Sequence, residues 1–121
     1  MSDSLTEMAT QYASAWSAEA MTRAAILERV WAPDGVYCDP LGRVEGRAAL
    51  DQHMAGTLAI FPGHEIVVTS AVDEHHDQFR FEWELRGPEG NMTASGIDVG
   101  VLSANGQIAS ITGFFGPLTS N

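Results

Sequence analysis

The order of local patterns along the chain is the feature that most limits its fold. Helical periodicity is confined to roughly the first half of the sequence, and strand patterns fill nearly all of the rest. Apolar residues recur at helical spacing from Leu5 to Trp16, then in "MTRAAILERVW", which "APDG" is expected to end, and then over about Arg47–Ile60. A short strand, "VYCDP", is expected between the second and third helices. Helices followed by consecutive strands predict an α+β fold.

Four further strand segments follow the third helix, in "HEIVVTSAVD", "DQFRFEWELRGP", "MTASGIDVGVL" and "QIASITGFF". Their junctions "DEHH", "GPEGN" and "SANG" have hairpin composition, which predicts an antiparallel sheet. "QFRFEWEL" alternates apolar and charged residues, as a strand with one solvated face does. In "ASGIDVGVL" both sets of alternating positions are mostly apolar or Gly, which indicates that both faces of this strand are covered. Because no other segment remains to cover Ile97, Val99 and Val101, we predict a homodimer that forms through the sheet.

Size and charge exclude several classes of protein. A chain of 121 residues with 45% hydrophobic content predicts one folded domain, residues 1–121, rather than a disordered protein. The formal charge of -10 disfavours nucleic acid and anionic membranes as partners. No apolar run is long enough for a membrane helix, the N-terminus lacks the pattern of a secretory signal, and Cys38 is the single cysteine. We therefore expect a cytoplasmic location.

Asp98 is an unusual residue for its strand. It lies in the middle of "SGIDVGVL", and Gly96 and Gly100 flank it on its own face. Glycines in a strand often mark a place where another group approaches the backbone closely. Burying an unpaired carboxylate is costly, so such an Asp is exposed, paired or protonated. Protonation inside a cavity would make Asp98 a hydrogen-bond donor, whereas bonds from Arg80 or from backbone amides would make it structural.

The chain resembles the SnoaL-like and ketosteroid isomerase-like group of the nuclear-transport-factor-two-like superfamily. The resemblance covers almost the whole sequence, and four segments carry it: "QYASAW", "WAPDGVYCDPLG" leading into "EGRAAL", "SGIDVGVL" and "NGQIASITGFFG". It implies a cystatin-like α+β cone, in which a curved, mixed or antiparallel sheet wraps around three N-terminal helices and encloses a mostly apolar pocket.

The resemblance also implies three catalytic residues. In ketosteroid isomerases a carboxylate of the Asp-Pro strand moves a proton, while a tyrosine of the first helix and a protonated aspartic acid of a later strand bind the developing oxyanion. Asp39, Tyr12 and Asp98 match these roles. The alternatives stay open for each residue: Tyr12 as a core tyrosine, Asp39 as a turn residue before Pro40, and Asp98 as a structural carboxylate.

Other residues are candidates for the wall of the pocket. His53 and Met54 lie on the inner face of the third helix, and Met54 falls where some isomerases place a further tyrosine. Trp16 and Trp83 are expected to be core aromatics that can also contact a ligand. His75 and His76 are adjacent on a strand and point to opposite faces, so no metal site is expected.

These observations favour cofactor-free proton transfer, of the isomerase or cyclase kind, on a small lipophilic carbonyl compound. Two alternatives use the same fold without chemistry: a module that binds a small ligand, and a pure dimerisation domain. A ligand bound without turnover would favour the first, and a filled cavity with paired acids would favour the second.

Overall fold

The computed structural model describes residues 2–121 and shows three helices and seven strands in that range. The helices are α1 (Ser2–Ala15), α2 (Ala20–Val30) and α3 (Arg47–Ile60). The strands are β1 (Trp31–Asp39), β2 (Gly42–Glu45), β3 (Glu65–Val68), β4 (Asp73–His75), β5 (Gln78–Arg86), β6 (Met92–Leu102) and β7 (Ile108–Phe115). None of the described helices is long and apolar enough to cross a membrane.

All seven strands belong to one sheet, in the order β2-β1-β7-β6-β5-β3, with β4 also paired to β5. Every pairing is antiparallel except that of β1 with β7, which is parallel. The helices pack on one face of this mixed, open sheet, and the expected α+β cone is confirmed. The parallel pairing places the end of β1, where Asp39 lies, beside the last strand of the chain.

The strand boundaries correct several expectations. "APDG" does not follow α2 as a loop, because Trp31 and the whole of this segment lie within β1. Pro33 has no N–H to donate, and the pairing of β1 with β7 is irregular between Trp31 and Val36. "HEIVVTSAVD" contains β3 and only the first residue of β4, and β2 was not predicted. The expected junction "DEHH" was wrong, because Asp73–His75 form β4 and the turn follows at residues 76–77. The third helix and the junctions "GPEGN" and "SANG" were predicted correctly.

The core lies between the helices and the inner face of the sheet. Its largest fully buried side chains come from every helix and from strands β1, β5 and β7: Trp31, Tyr12, Phe81, Leu27, Leu50, Met54, Ile108 and Ile111. Arg23 is buried as well, because its side chain binds Asp51 and the Ala18 carbonyl oxygen and so joins α2 to α3. This contact fixes the position of α3 above β1, where α3 presents His53 to the site described below.

Strand register separates an inner from an outer face on β5, β6 and β7. Asp98 is directly opposite Phe81 on one side and Gly113 on the other, and all three residues are on the inner face. The neighbouring outer row contains Arg80, Val99 and Thr112. Val99 and Val101 are 36% and 40% exposed, so this apolar part of the outer face is uncovered in a single chain.

Candidate active site

A cavity of about 200 Å³ lies between α3 and the inner face of the sheet. Its wall is almost entirely apolar and aromatic, and four side chains that can donate or accept protons interrupt it: Tyr37, Asp39, His53 and Asp98. Leu41, Ile60, Ile66, Leu85 and Phe115 are among the apolar residues that line the remainder. An apolar cavity with a few convergent polar groups is typical of a small-molecule site.

Asp39, the last residue of β1, is held by three hydrogen-bond donors. The backbone N–H groups of Leu41 and Gly42 donate to its Oδ1 at 2.8 and 3.1 Å, and the Tyr37 hydroxyl donates to its Oδ2 at 2.7 Å. Pro40 directs the chain into the turn that supplies the two backbone donors. Three donors suit an ionised carboxylate, and Oδ2 keeps a lone pair for a proton from a ligand.

Tyr37 lines the cavity but was not among the residues predicted from the sequence. It lies two positions before Asp39 on β1, so both side chains point to the same face of the strand. Burial raises the pKa of Tyr37 far above its ordinary value, and neighbouring Tyr12 raises it further, so the hydroxyl stays a donor. The spacing of "YCD" was the signal that could have identified this residue.

Asp98 lies on the inner face of β6 and is 6% exposed. The indole N–H of Trp83 donates to its Oδ1 at 3.0 Å. Burial raises the pKa of Asp98 to about 7, with the Trp83 hydrogen bond lowering it and the charge of Asp39 raising it. Arg80 is not its partner, because Arg80 is on the outer face and binds Asp73 at 3.0 Å. Asp98 is therefore a desolvated carboxyl with one neutral donor, and the expected alternative of a bond from Arg80 was wrong.

Gly113 on β7 lies where the two carboxyl groups come together. A β-carbon at this position would lie 2.9 Å from Oδ1 of Asp98, 3.6 Å from Cβ of Asp39 and 3.7 Å from the hydroxyl oxygen of Tyr37. The absence of a side chain on this glycine lets β1 and β6 present their acids to the same end of the cavity. No pattern in the sequence distinguishes Gly113 from the other strand glycines.

Tyr12 and Met54 lie behind the cavity wall. Tyr12 is 1% exposed, stacks on Trp31 with ring centroids 5.7 Å apart, and its hydroxyl has no hydrogen-bond partner among the described residues. Burial raises its pKa well above the ordinary value, and the charges of Asp98 and Asp39 raise it further. Met54 is fully buried in the core.

The other predicted lining residues reach the cavity. Trp16 and Trp83 are part of its wall, as is His53, whose ring packs against Trp16 and Tyr37 with centroids 5.7 and 5.4 Å away. Nε2 of His53 is 3.8 Å from Oδ2 of Asp39, beyond hydrogen-bond distance. The site thus brings a carboxylate, an imidazole and a desolvated acid together at one end of the cavity.

No group of three or more His, Cys, Asp or Glu side chains in the described part of the chain is arranged to hold a metal ion. His75 ends β4 and His76 begins the turn to β5, away from the cavity, with their Nδ1 atoms 3.1 Å apart. The side chains that line the cavity supply carboxyl, phenol and imidazole groups.

Residues 9–111 match the family model of the SnoaL-like domain. The chain belongs to the SnoaL-like family. A curated relative of this SnoaL-like chain, the Steroid Delta-isomerase of Nocardioides simplex, is 30% identical over 95 residues, which cover 77% of the chain and 76% of the relative. The family expected from the sequence is confirmed, and this relative of the chain bears the name of an isomerase.

Solved structures agree with the SnoaL-like assignment. One from Agrobacterium tumefaciens, named as an isomerase of the SnoaL-like family, has a TM-score of 0.87 at 30% identity and covers 92% of this chain and 96% of its own. A protein from Jannaschia, named after the SnoaL-like polyketide cyclases, has a TM-score of 0.73 at 20% identity, with 90% and 83% covered. The second likeness concerns the fold alone.

Proposed function

We propose that this protein catalyses a cofactor-free proton transfer that moves a carbon–carbon double bond into conjugation with a carbonyl group. The observation that carries this proposal is the pair of carboxyl groups facing one apolar cavity in different surroundings. Three donors hold Asp39, whereas Asp98 is desolvated and has a pKa of about 7. Two carboxyls in such different surroundings can serve as a base and a hydrogen-bonding acid at the same pH.

The proposed reaction begins with the carboxylate of Asp39. Oδ2 removes a proton from the carbon between the carbonyl and the double bond, and the electron pair that is released forms a dienolate. The protonated carboxyl of Asp98 donates a hydrogen bond to the dienolate oxygen as negative charge develops there. Asp39 then returns the proton to the far end of the former double bond. Every atom is conserved, so no oxidant, reductant or metal takes part.

Two tyrosines, Tyr12 and Tyr37, have further roles in the proposed reaction. The hydroxyl of Tyr12 is the proposed second donor to the oxyanion: it has no partner among the described residues, but it is sealed behind the cavity wall, so this role requires the wall to shift when a ligand binds. A donor kept unpaired in the interior costs about 1–3 kcal/mol of stability, a cost that a functional group can offset in the bound state. Tyr37 holds the carboxylate of Asp39 in place through its hydrogen bond.

The wall of the cavity indicates the class of substrate. Aromatic and aliphatic side chains dominate it, and no Lys or Arg is among its lining residues. A phosphate or carboxylate group on a ligand would therefore face acidic side chains without a cation. We propose an uncharged, largely hydrocarbon ketone, and the steroid named for the Nocardioides simplex relative is one member of that class.

The test compares wild type with Asp39→Asn on β,γ-unsaturated cyclic ketones, one monocyclic and one steroidal. The conjugated product absorbs in the ultraviolet, so turnover is followed directly. Asn keeps the two backbone hydrogen bonds at Oδ1 but cannot accept a proton, so we expect turnover to fall at least about 100-fold, in the range typical for loss of a general base, with little change in stability.

Tyr12→Phe is measured beside it for binding of 4-nitrophenolate, an oxyanion mimic. We expect binding weaker by about 5- to 150-fold and stability equal to or above that of wild type. An unchanged affinity would show that Tyr12 is a core residue that does not bind the oxyanion. A wild-type protein that binds the mimic but turns over neither ketone would contradict the catalytic proposal and leave a ligand-binding module.

A further inference from the structure

The indole of Trp83 reaches Asp98 because the strand beside it carries a glycine. On the inner face Trp83 is directly opposite Gly96, two residues before Asp98. A β-carbon on Gly96 would lie 2.5 Å from Cζ2 of Trp83, so the ring occupies the space that a side chain would need. Lying across β6 in this way, the indole places its N–H 3.0 Å from Oδ1 of Asp98.

The two oxygens of Asp98 consequently differ. Oδ1 accepts the indole N–H and lies near Gly113, whereas no hydrogen bond from a described residue reaches Oδ2. Asp98 is part of the cavity wall. Two other buried polar atoms that lack a hydrogen-bond partner, the Tyr12 hydroxyl and the Trp31 indole nitrogen, have no contact with solvent, but Oδ2 of Asp98 does not belong to that group. Oδ2 is therefore the oxygen that faces the cavity.

An indole N–H can only donate. A protonated carboxyl has one carbonyl oxygen, which accepts well, and one hydroxyl oxygen, which donates. A donor fixed at Oδ1 makes Oδ1 the carbonyl oxygen and leaves the proton on Oδ2. We propose that Trp83 is a positioning residue that holds the acidic proton of Asp98 on Oδ2, where it points into the cavity. What the proton does in this inference rests on the proposed function. Where the proton lies can be tested without a ligand.

Four groups from other elements act on Asp98 besides its burial. Asp39 and Tyr37 face it from β1, Tyr12 from α1 and Trp83 from β5. The charge of Asp39 raises the pKa of Asp98, the two tyrosines are neutral, and the Trp83 hydrogen bond lowers the pKa. Trp83 thus has two effects that can be separated: it selects the oxygen that carries the proton, and it eases the ionisation of Asp98 by stabilising the carboxylate.

The first experiment uses wild type alone, without a ligand. The Trp83 indole N–H resonance is followed by nitrogen-15 NMR from about pH 5 to about pH 9. Its partner becomes a stronger acceptor when Asp98 ionises, so we expect a downfield shift with a midpoint near 7. The indole of Trp31, which has no partner among residues 2–121, is the internal reference. A Trp83 resonance that stays constant through this range would overturn the proposal.

The second experiment measures the carboxyl titration itself, by carbon-13 NMR of protein labelled at aspartate. Trp83→Phe removes the N–H and keeps an aromatic ring, and we expect the Asp98 midpoint to rise by about one pH unit, a tenfold change in proton affinity. Trp16→Phe is the matched control, since it also replaces an indole of the cavity wall with a phenyl ring. It should leave the Asp98 midpoint unchanged. An equal or lower midpoint in Trp83→Phe would contradict the proposal.

Binding of 2,4-dinitrophenolate, a phenolate that stays ionised below the Asp98 midpoints of both wild type and Trp83→Phe, completes the series. Trp83→Phe frees the proton to occupy either oxygen, so we expect affinity to fall by about 3- to 10-fold although Asp98 is fully protonated. If wild type does not bind the phenolate while the Trp83 and Asp98 titrations behave as expected, the proposed function fails and the placement of the proton by Trp83 stands. If wild type binds it and Trp83→Phe changes neither titration nor affinity, the inference about Trp83 fails alone.

Discussion

Asp39 and Asp98 carry the same functional group, and their neighbours give the two groups different chemistry. Backbone amides and a tyrosine hydroxyl surround Asp39 at the end of its strand, whereas Asp98 has a tryptophan and a phenylalanine on one neighbouring strand and a glycine on the other. Burial dominates at Asp98 because a single neutral donor does not replace the water lost by a carboxylate. One acid is thus suited to accept a proton and the other to retain one.

Asp98→Asn tests that difference through stability. The folded pKa of about 7 is above the unfolded value of about 3.9, so the native state retains a proton that the unfolded chain releases between these values. The stabilisation of wild type from this proton is complete below about pH 4 and is lost as pH rises through about 7. Asn keeps the shape, a donor and an acceptor for Trp83, and it does not titrate.

We therefore expect Asp98→Asn to be as stable as wild type, or more stable, at neutral pH, and to lack this part of the pH dependence. Thermal unfolding of both proteins from acid to neutral pH measures it. A variant less stable by about 1–3 kcal/mol at neutral pH would show that Asp98 is an ionised structural residue.

Individual helices and strands were predictable where the local pattern agreed with the final contacts. The bounds of α3 and the alternation along β5 followed from the sequence, because each is an amphipathic segment with a clear stop. The parallel pairing of β1 with β7 and the existence of β2 did not, since both depend on partners distant in sequence. The same limit applies to the site: Asp39 and Asp98 stood out locally, whereas Tyr37 and Gly113 gain their importance from the strands that meet beside them.

Gly113→Ala tests how closely β1, β6 and β7 must approach. The new methyl group would lie 2.9 Å from Oδ1 of Asp98, so the carboxyl must move and weaken its bond to Trp83. We expect a loss of about 1–3 kcal/mol in unfolding free energy and a larger proportional loss of ketone turnover. Urea unfolding and the ultraviolet assay measure the two effects.

Gly56→Ala is the matched control for that substitution. Gly56 lies within α3 with no atom near the position of a β-carbon, so the change should raise stability by about 0.5–1 kcal/mol. If Gly113→Ala behaved like Gly56→Ala in both measurements, the close approach at β7 would have no part in the site.

The whole molecule leaves one face of its sheet without a partner in the single chain. Ile97, Val99, Val101 and Phe114 share the outer face of β6 and β7, and Phe114 is 54% exposed. Apolar residues gathered on one face in this way mark an interaction surface more often than a solvated one. We propose that a second copy of the chain covers it, in a homodimer that buries about 1,200 Å² or more in total.

Val101→Lys places a charge in that face and should convert the dimer to a folded monomer in sedimentation at micromolar concentration. Met21→Lys is the control, because Met21 is 81% exposed on α2, away from the sheet. We expect it to remain a dimer. A wild-type protein that sediments as a monomer would exclude the proposed assembly.

The parallel contact between β1 and β7 also affects the order in which the parts of the proposed site come together during folding. Asp39 is made early in synthesis, while Gly113, beside which it must lie, belongs to the last strand. Contacts between such distant parts of a chain form late, because closing the long intervening loop costs entropy before any contact repays it. A chain in which β7 has not yet paired with β1 and β6 therefore lacks the strand beside which Asp39 and Asp98 meet, and the proposed site is incomplete until that pairing forms.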